Sequence, residues 1–366
     1  MLDKLNKDNW KVQTKLVVSK KTIFFAQLLA ILFALFVSSI VIKLSGLNPL
    51  LLGAKALNST LGSFFGLEQL GILLTPIIIT AVAAATAFRM GLWNIGIEGQ
   101  FYLGAIAVTL VGLNIEGPNF LILIILVIVG IIGGALWALL PALAKAYANI
   151  SEIISTLMLN FVAILLVNYL AIGPLRDKTG AGVMASSARI SYSLPEWFGA
   201  LHIGFFFALI ILGIYAIVSF YTQFSYETEM IGANSKVGPY IGVSASKRII
   251  LIMLISGGIA GLAGMVEITG NIHRLQDGIS NQFGIFGIIV AVLSRGSPLG
   301  ILIGSVFIAL VLNSGIVLQS VGLSVNSVLF LTGLILLAVT CSEVLVRYKL
   351  VYISQNINLI KKTNND

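Results

Sequence analysis

Phe120-Leu-Ile-Leu-Ile-Ile-Leu-Val-Ile-Val-Gly-Ile-Ile-Gly-Gly-Ala-Leu-Trp-Ala-Leu-Leu140 carries no ionisable side chain and no proline. A helix rises 1.5 Å per residue, so about 20 apolar residues cross a hydrocarbon layer roughly 30 Å thick. The stretch is too long for a strand and too apolar for a surface helix, and it reads as a membrane crossing. Working outward, seven further stretches read the same way: Phe24–Leu44, Leu70–Phe88, Ile153–Ile172, Ile203–Tyr221, Ile249–Ile268, Leu299–Leu318 and Val325–Val346. Two more, Phe101–Leu113 and Phe283–Ser294, are short and lie beside glycine-rich sequence. They read as broken or re-entrant helices, whose irregular backbone survives at membrane depth only when it is buried in protein or lines a wet cavity.

Composition agrees. Of 366 residues, 58% are apolar and 10% charged, against about 25% charged in a soluble domain. Mean hydropathy is +1.03. A soluble fold, a disordered chain, a collagen and a disulfide scaffold are all excluded. The single cysteine, Cys341, has no partner within the chain. The fold class is all-α, a polytopic transmembrane helical bundle of about ten membrane segments, some of them short or broken.

Ten crossings place both termini on one side. With the N-terminus inside, the inner segments hold sixteen of the 22 Lys/Arg: Lys4, Lys7, Lys11, Lys15, Lys20, Lys21, Arg89, Lys145, Lys236, Lys247, Arg248, Arg295, Arg347, Lys349, Lys361 and Lys362. The outer segments hold Lys43, Lys55, Arg176, Lys178, Arg189 and Arg274. This is the positive-inside asymmetry of a multi-pass protein of the cell membrane. The net charge of +8 therefore reports orientation in membrane lipid, not a nucleic-acid polymer. Residues 1–22 form a basic cytoplasmic tail, 23–346 the transmembrane domain and 347–366 a C-terminal cytoplasmic tail. The first tail lacks a signal-peptide layout. Two long loops stand out, Gly173–His202 outside and Thr222–Arg248 inside.

Several chemistries are missing. There is no GxxxxGK[ST] to hold ATP phosphates, no Cys/His cluster for a metal, and no nucleophile–base set at a common depth. The only histidines, His202 and His273, fall in outer loops. Ion-coupled carriers usually hold several ionisable groups at mid-membrane. Here the candidates are Glu98, Glu267 and Glu343, each near a segment end. A transporter of this kind takes its energy from a partner, and neither an enzyme nor a bound cofactor is expected.

Four segments carry the remaining signal. Asn94-Ile-Gly-Ile-Glu-Gly-Gln100 lies between two apolar helices. Its glycines allow non-helical turns, and Asn94, Glu98 and Gln100 supply hydrogen bonds either to a polar solute or to unwound backbone. Ser151-Glu-Ile-Ile-Ser-Thr-Leu-Met-Leu-Asn160 begins with a helix-start residue. Ser155, Thr156 and Asn160 then form a polar stripe, facing either a cavity or another helix. The inner stretch Met230–Val243 reads as Asn234, a helix-cap type, ahead of a short amphipathic turn with Tyr240 and Ile241. A helix that short is marginal in water alone and needs a surface to dock into; the other reading is an ordinary polar loop. Phe283–Gly300 runs to Arg295, turns at Gly296–Pro298 and re-enters the membrane.

Together these segments resemble the permease subunit of an ATP-binding-cassette importer. The likeness is to the family handling ribose and other sugars, branched-chain amino acids and nucleosides, and most to its nucleoside branch. It covers about residues 70–345, and its specific parts are the NIG-x-EGQ and EI-x-ST-x-MLN stretches. In that family the inner loop, here within 222–248, sits in a groove of the ATPase. Gly232, Asn234, Tyr240, Gly242 and Val243 match its pattern, while Val237 and Gly238, followed by Pro239, replace a pair of alanines. Proline inside a helix costs ~3 kcal/mol but far less in the first turn, so the coupling helix is shorter or starts at Pro239. The resemblance implies cytoplasmic ATPase subunits that use the ATP, a second similar permease subunit in a heterodimer, and an outer solute-binding protein of lipoprotein type. It also implies a small solute moved by alternating access. The neutral polar set suits an uncharged nucleoside; ribose-type sugars or branched-chain amino acids are the alternatives, and an ion-coupled secondary transporter is a more distant one.

Overall fold

The computed structural model describes residues 10–14, 20–177 and 186–352. Lys4, Lys7, Lys15, Lys178, Lys361 and Lys362, counted above for orientation, lie outside the described residues. In chain order the elements are β1 (Trp10–Thr14), α1 (Lys20–Leu44), α2 (Pro49–Leu61), α3 (Phe64–Phe88), α4 (Ile97–Gly112), α5 (Asn119–Ala148) and α6 (Glu152–Ile172). There follow β2 (Glu196–Phe198), β3 (Leu201–His202), α7 (Gly204–Tyr221), α8 (Gln223–Ala233), a 3₁₀ turn (Ser235–Ile241) and α9 (Ala245–Glu267). A π-helical turn (Ile268–Ile272), α10 (Phe283–Leu293), α11 (Pro298–Ser320), α12 (Val325–Arg347) and β4 (Tyr348–Tyr352) complete the chain.

Among the described residues, eight helices are long and apolar enough to cross a membrane, and α4 and α10 are shorter apolar helices. These are the ten expected segments. Several helices begin earlier than their apolar runs: α1 at Lys20 and α9 at Ala245, where the Ser244 hydroxyl accepts from Lys247 N at 3.5 Å. Helical hydrogen bonding does not stop where lipid stops.

The chain forms two compact units. In the unit built from Met1–Lys55 and Leu318–Asp366, α1 packs on α12, and Ile42, Leu52, Leu323, Val328 and Leu331 make a small core. Strands β1 and β4 pair antiparallel, from Trp10 opposite Tyr352 to Thr14 opposite Tyr348. Residues within the two tail stretches thus contribute one strand each to a shared ladder, a pairing between distant residues that local pattern does not announce. Helix α2 was also unexpected. Its start is marked by Asn48, whose side chain accepts from Leu50 N at 3.0 Å, followed by Pro49 at the first helical position, a favourable helix-start arrangement.

In the unit Ala56–Val317, α9 is the central helix, flanked by α3, α4 and α5; α10 and α7 pack on α3, and α6 on α4. The close approach rests on glycine. A Cβ on Gly261 would overlap the Gly130 carbonyl, and one on Gly264 the Phe101 carbonyl. Gly130-xxx-Gly134 and Gly257-xxx-Gly261 are the small-xxx-small spacing that lets membrane helices touch backbone to backbone.

Of two local expectations, the helix start at Ser151 holds, and of the two inner-loop alternatives the start at Pro239 fails. The inner-loop helix does not start at Pro239; it is a 3₁₀ turn beginning at Ser235, because the Asn234 side chain caps it by accepting from Lys236 N at 3.0 Å. Ser151 does precede α6, but its side chain makes no cap hydrogen bond.

Candidate functional site

The first site is the break between α3 and α4. The chain leaves α3 at Arg89, turns at Gly91 (φ +70°) and re-enters helix at Ile97. Asn94 is fully buried. Its Nδ2 donates to Gln100 Oε1 and to Ser256 Oγ, both at 2.9 Å. Its Oδ1 accepts from Gln100 Nε2 at 3.0 Å and from Gly96 N at 3.1 Å. Ser256 in turn donates to the Ala83 carbonyl at 2.7 Å. From α6, Asn160 Oδ1 accepts from Gly99 N at 2.8 Å and its Nδ2 donates to the Ile95 carbonyl at 2.8 Å. Unwinding a membrane helix leaves backbone groups that cost several kcal/mol each without partners. Asn94 and Asn160 supply those partners, Gln100 holds Asn94 in place, and together they knit α3, α4, α6 and α9 at one level.

Glu98 joins the second short helix to the first. It lies in the first turn of α4, and its Oε2 accepts from Gly284 N at 2.8 Å, in the first turn of α10. Ser280 Oγ donates to Oε1 and lies 3.1 Å from Tyr102 OH. Thr80 Oγ1 donates to the Phe283 carbonyl at 2.9 Å. Glu98 thus stands where the N-termini of both short helices meet, and a carboxylate is the charge that helix N-termini favour. Only glycine fits at 284, since a Cβ there would come within 2.7 Å of the Glu98 backbone.

Structure therefore brings together Asn94, Gln100 and Asn160, with Glu98 bridging to α10. The other two candidates bond within their own helix: Thr156 donates to the Glu152 carbonyl at 2.6 Å and Ser155 to the Ser151 carbonyl at 3.1 Å. Ser256, Ser280, Tyr102 and Thr80 complete the network but were missed by sequence reading. Ser256 opens the Ser256-Gly-Gly-Ile-Ala-Gly261 run, whose small residues were the available signal. Glu267, at the end of α9, is fully buried and accepts from Asn271 Nδ2 at 2.7 Å. Glu343 lies in α12; its side chain is outside the described residues.

The second site is the inner end. The 3₁₀ turn leaves Tyr240 90% exposed, and Gly242 ends it at φ +70° with open space around its Cα. Gly232 packs so closely on Met90 that a Cβ would come within 2.6 Å of the Met90 carbonyl carbon. The loop is thereby seated directly on the corner that begins the α3–α4 break. A polar cavity of about 400 Å³ lies beside it, lined in part by Gly91, Asn234, Lys145 and Glu152. Among the described residues, ion pairs at this end include Lys145–Glu152 at 2.9 Å, Arg248–Glu227 at 2.5 Å and Arg89–Glu229.

The outer end is laced by main chain instead. Loop 186–203 donates from Ser187 N to Leu275 O, from Ile190 N to His273 O and from Leu194 N to Thr269 O, each at 2.8 Å. His202 is buried, and its Nδ1 accepts from Gly204 N at 3.1 Å. Burial, with a smaller contribution from nearby His273, lowers its pKa to about 4. Burial also lowers the pKa of His273, helped by Arg189. Among the described residues, no cluster of His, Cys, Asp or Glu could hold a metal.

Residues 66–340 match the family described as branched-chain amino acid transport system / permease component, and the chain belongs to it. Similar curated proteins share about the same span. The guanosine ABC transporter permease protein NupP of Bacillus subtilis is 31% identical over 79% of this chain and 84% of its own length. The nucleoside ABC transporter permease protein NupB of Lactococcus lactis is 31% identical over 79% and 82%. The glucose ABC transporter permease protein TsgB13 of Haloferax volcanii is 29% identical over 88% of both chains. No solved structure matches. The chain is thus a multi-pass permease component of an ABC importer in the cell membrane, a transport protein whose family works with a separate ATPase and a binding protein.

Proposed function

We propose that this permease imports nucleosides by alternating access, driven by ATP bound on a partner subunit. The observation that carries the reading is the character of the polar set at the α3–α4 break, where the Asn94 and Gln100 amides pair with each other and one carboxylate, Glu98, accepts from a backbone N–H. No basic side chain stands in that network to anchor a phosphate or carboxylate substrate. The named activities of the guanosine and nucleoside relatives support it. A ribose-type sugar is the second reading, favoured by the glucose relative. Asn94, Glu98, Gln100, Ser155, Thr156 and Asn160 belong to the pathway wall in this proposal, shaping it in the present conformation and offering hydrogen bonds when α4 and α10 shift.

The turn at Asn234–Val243 docks in the ATPase, with Tyr240 as the projecting contact, Gly242 providing the sharp exit and Gly232 passing movement to Met90. Closure of the ATPase pair changes the contacts of this turn, and such a difference between two states is what shifts a conformational equilibrium. A second, similar permease completes the pathway as a heterodimer, and the outer binding protein is a lipoprotein. This chain binds no cofactor of its own. Competition uptake tests the solute: unlabelled uridine should abolish uptake of labelled uridine while ribose and leucine leave it intact. Inhibition by ribose alone would replace the nucleoside reading with the sugar one.

A further inference from the structure

A groove of about 480 Å³ opens between α7 and α9, within the ~300–1,000 Å³ range of ligand sites. It exists because α7 leans on α3 and not on α9. Its walls are aliphatic: Ile214 and Val218 from α7, Ile255, Ile259 and Leu262 from α9. Ile252 to Leu262 along the same wall spans ~15 Å at the helical rise. Only the inner end is polar, where Arg89, Tyr215, Ser219 and Ser225 line it. Arg89 donates there to Ser225 Oγ at 2.8 Å and to the Ser219 carbonyl at 3.2 Å, and pairs with half-exposed Glu229. The Ser219 hydroxyl is buried without a partner.

Aliphatic walls cannot satisfy a nucleoside or sugar, since each buried polar group left unpaired costs kcal/mol. Left empty, such a groove forfeits the dispersion contacts of its lining. It is continuous with the bilayer, because Ile210, Ile214, Ile217 and Leu251 beside it are exposed on membrane-spanning helices. One amphipathic molecule of the surrounding phase matches both ends. We infer that the groove holds one acyl chain of an inner-leaflet phospholipid, with the phosphate at Arg89 and the chain lying along Ile255 and Ile259. Glu229 is the partner the phosphate replaces. The site is independent of which solute is transported.

The test uses the complete importer in liposomes of phosphatidylethanolamine and phosphatidylglycerol, with phosphatidylglycerol bearing a photoactivatable group near the acyl terminus. Cross-links in residues 211–222 and 252–262 should exceed those on the exposed face of α6 at Phe161 and Leu165 several-fold. Ile255→Phe combined with Ile259→Phe fills the groove and should bring its labelling down to the α6 level, with α6 labelling unchanged. Glu229→Gln, at a half-exposed position, should raise groove labelling even where the double variant fails to fold. Groove labelling no higher than on α6 overturns the assignment. So does labelling that Glu229→Gln leaves unchanged, labelling removed by saturating uridine, which would make the groove a solute path, or a zero-length cross-link from Ile214→Cys to the second permease subunit, which would make it a permease interface.

Discussion

The buried α3–α4 break and the charged inner end beside it solve opposite problems with different chemistry. At the break, buried neutral amides and hydroxyls satisfy one another and the unwound backbone at 2.8–3.1 Å, between helices in backbone contact through glycine. At the inner end, charges pair at partly exposed positions, a 3₁₀ turn replaces α-helix, and Tyr240 projects outward. A buried neutral network is costly to leave half-made, whereas an exposed ion pair contributes only ~0.2–1 kcal/mol and re-forms readily. The break is built to hold its arrangement and the inner end to exchange contacts. Gly232 against Met90 joins the two.

Substitutions can break this contrast. Gly261→Leu should have the largest effect, because the new side chain meets the Gly130 carbonyl and Gly134 Cα. Overpacking costs ~1–3 kcal/mol and more when backbone must move, so folded protein recovered in detergent should fall sharply; normal recovery would refute the glycine contact. Asn94→Leu leaves Gln100 and Ser256 short of partners, at ~1–3 kcal/mol per buried unsatisfied group. Its melting temperature should drop well below that of Ile125→Ala, and equal values would make the network dispensable.

The outer end sharpens the comparison through pH. His202 keeps a pKa of about 4 when folded, while a free imidazole titrates near 6.5. Between those values the unfolded chain takes up a proton that the folded chain refuses, so stability declines as pH falls from 6.5 towards 4, by about 3 kcal/mol at the lower end. Thermal unfolding across that range should show the decline in wild type and a flatter profile in His202→Gln.

Inner-end changes should do least to stability. Gly242→Arg forces a side chain into the left-handed region, at ~1–2 kcal/mol, with open space around it. Recovery and membrane insertion should be near normal while uptake and solute-stimulated ATPase activity are lost; full uptake would remove the coupling role. Glu229→Gln should shift the melting temperature least of all, in keeping with a surface ion pair.

The membrane crossings were legible because a helix in lipid must be almost continuously apolar, and that demand is local and one-dimensional. Asn94, Glu98, Gln100 and Asn160 were legible as anomalies for the same reason, since polar groups at membrane depth stand out against their surroundings. Whether they faced solute or backbone was not. Asn94 meets Ser256, and Glu98 meets Gly284, across separations of more than a hundred residues, and no spacing rule carries that distance. The β1–β4 ladder, the Gly232–Met90 contact and the groove between α7 and α9 were invisible for the same reason. Sequence alone determined that the chain has about ten apolar membrane segments, two of them short, and where its helices break, because hydrophobicity acts residue by residue. Only the tertiary structure decided which polar groups satisfy which break, because a hydrogen bond needs two partners within about 3 Å and only folding brings them there.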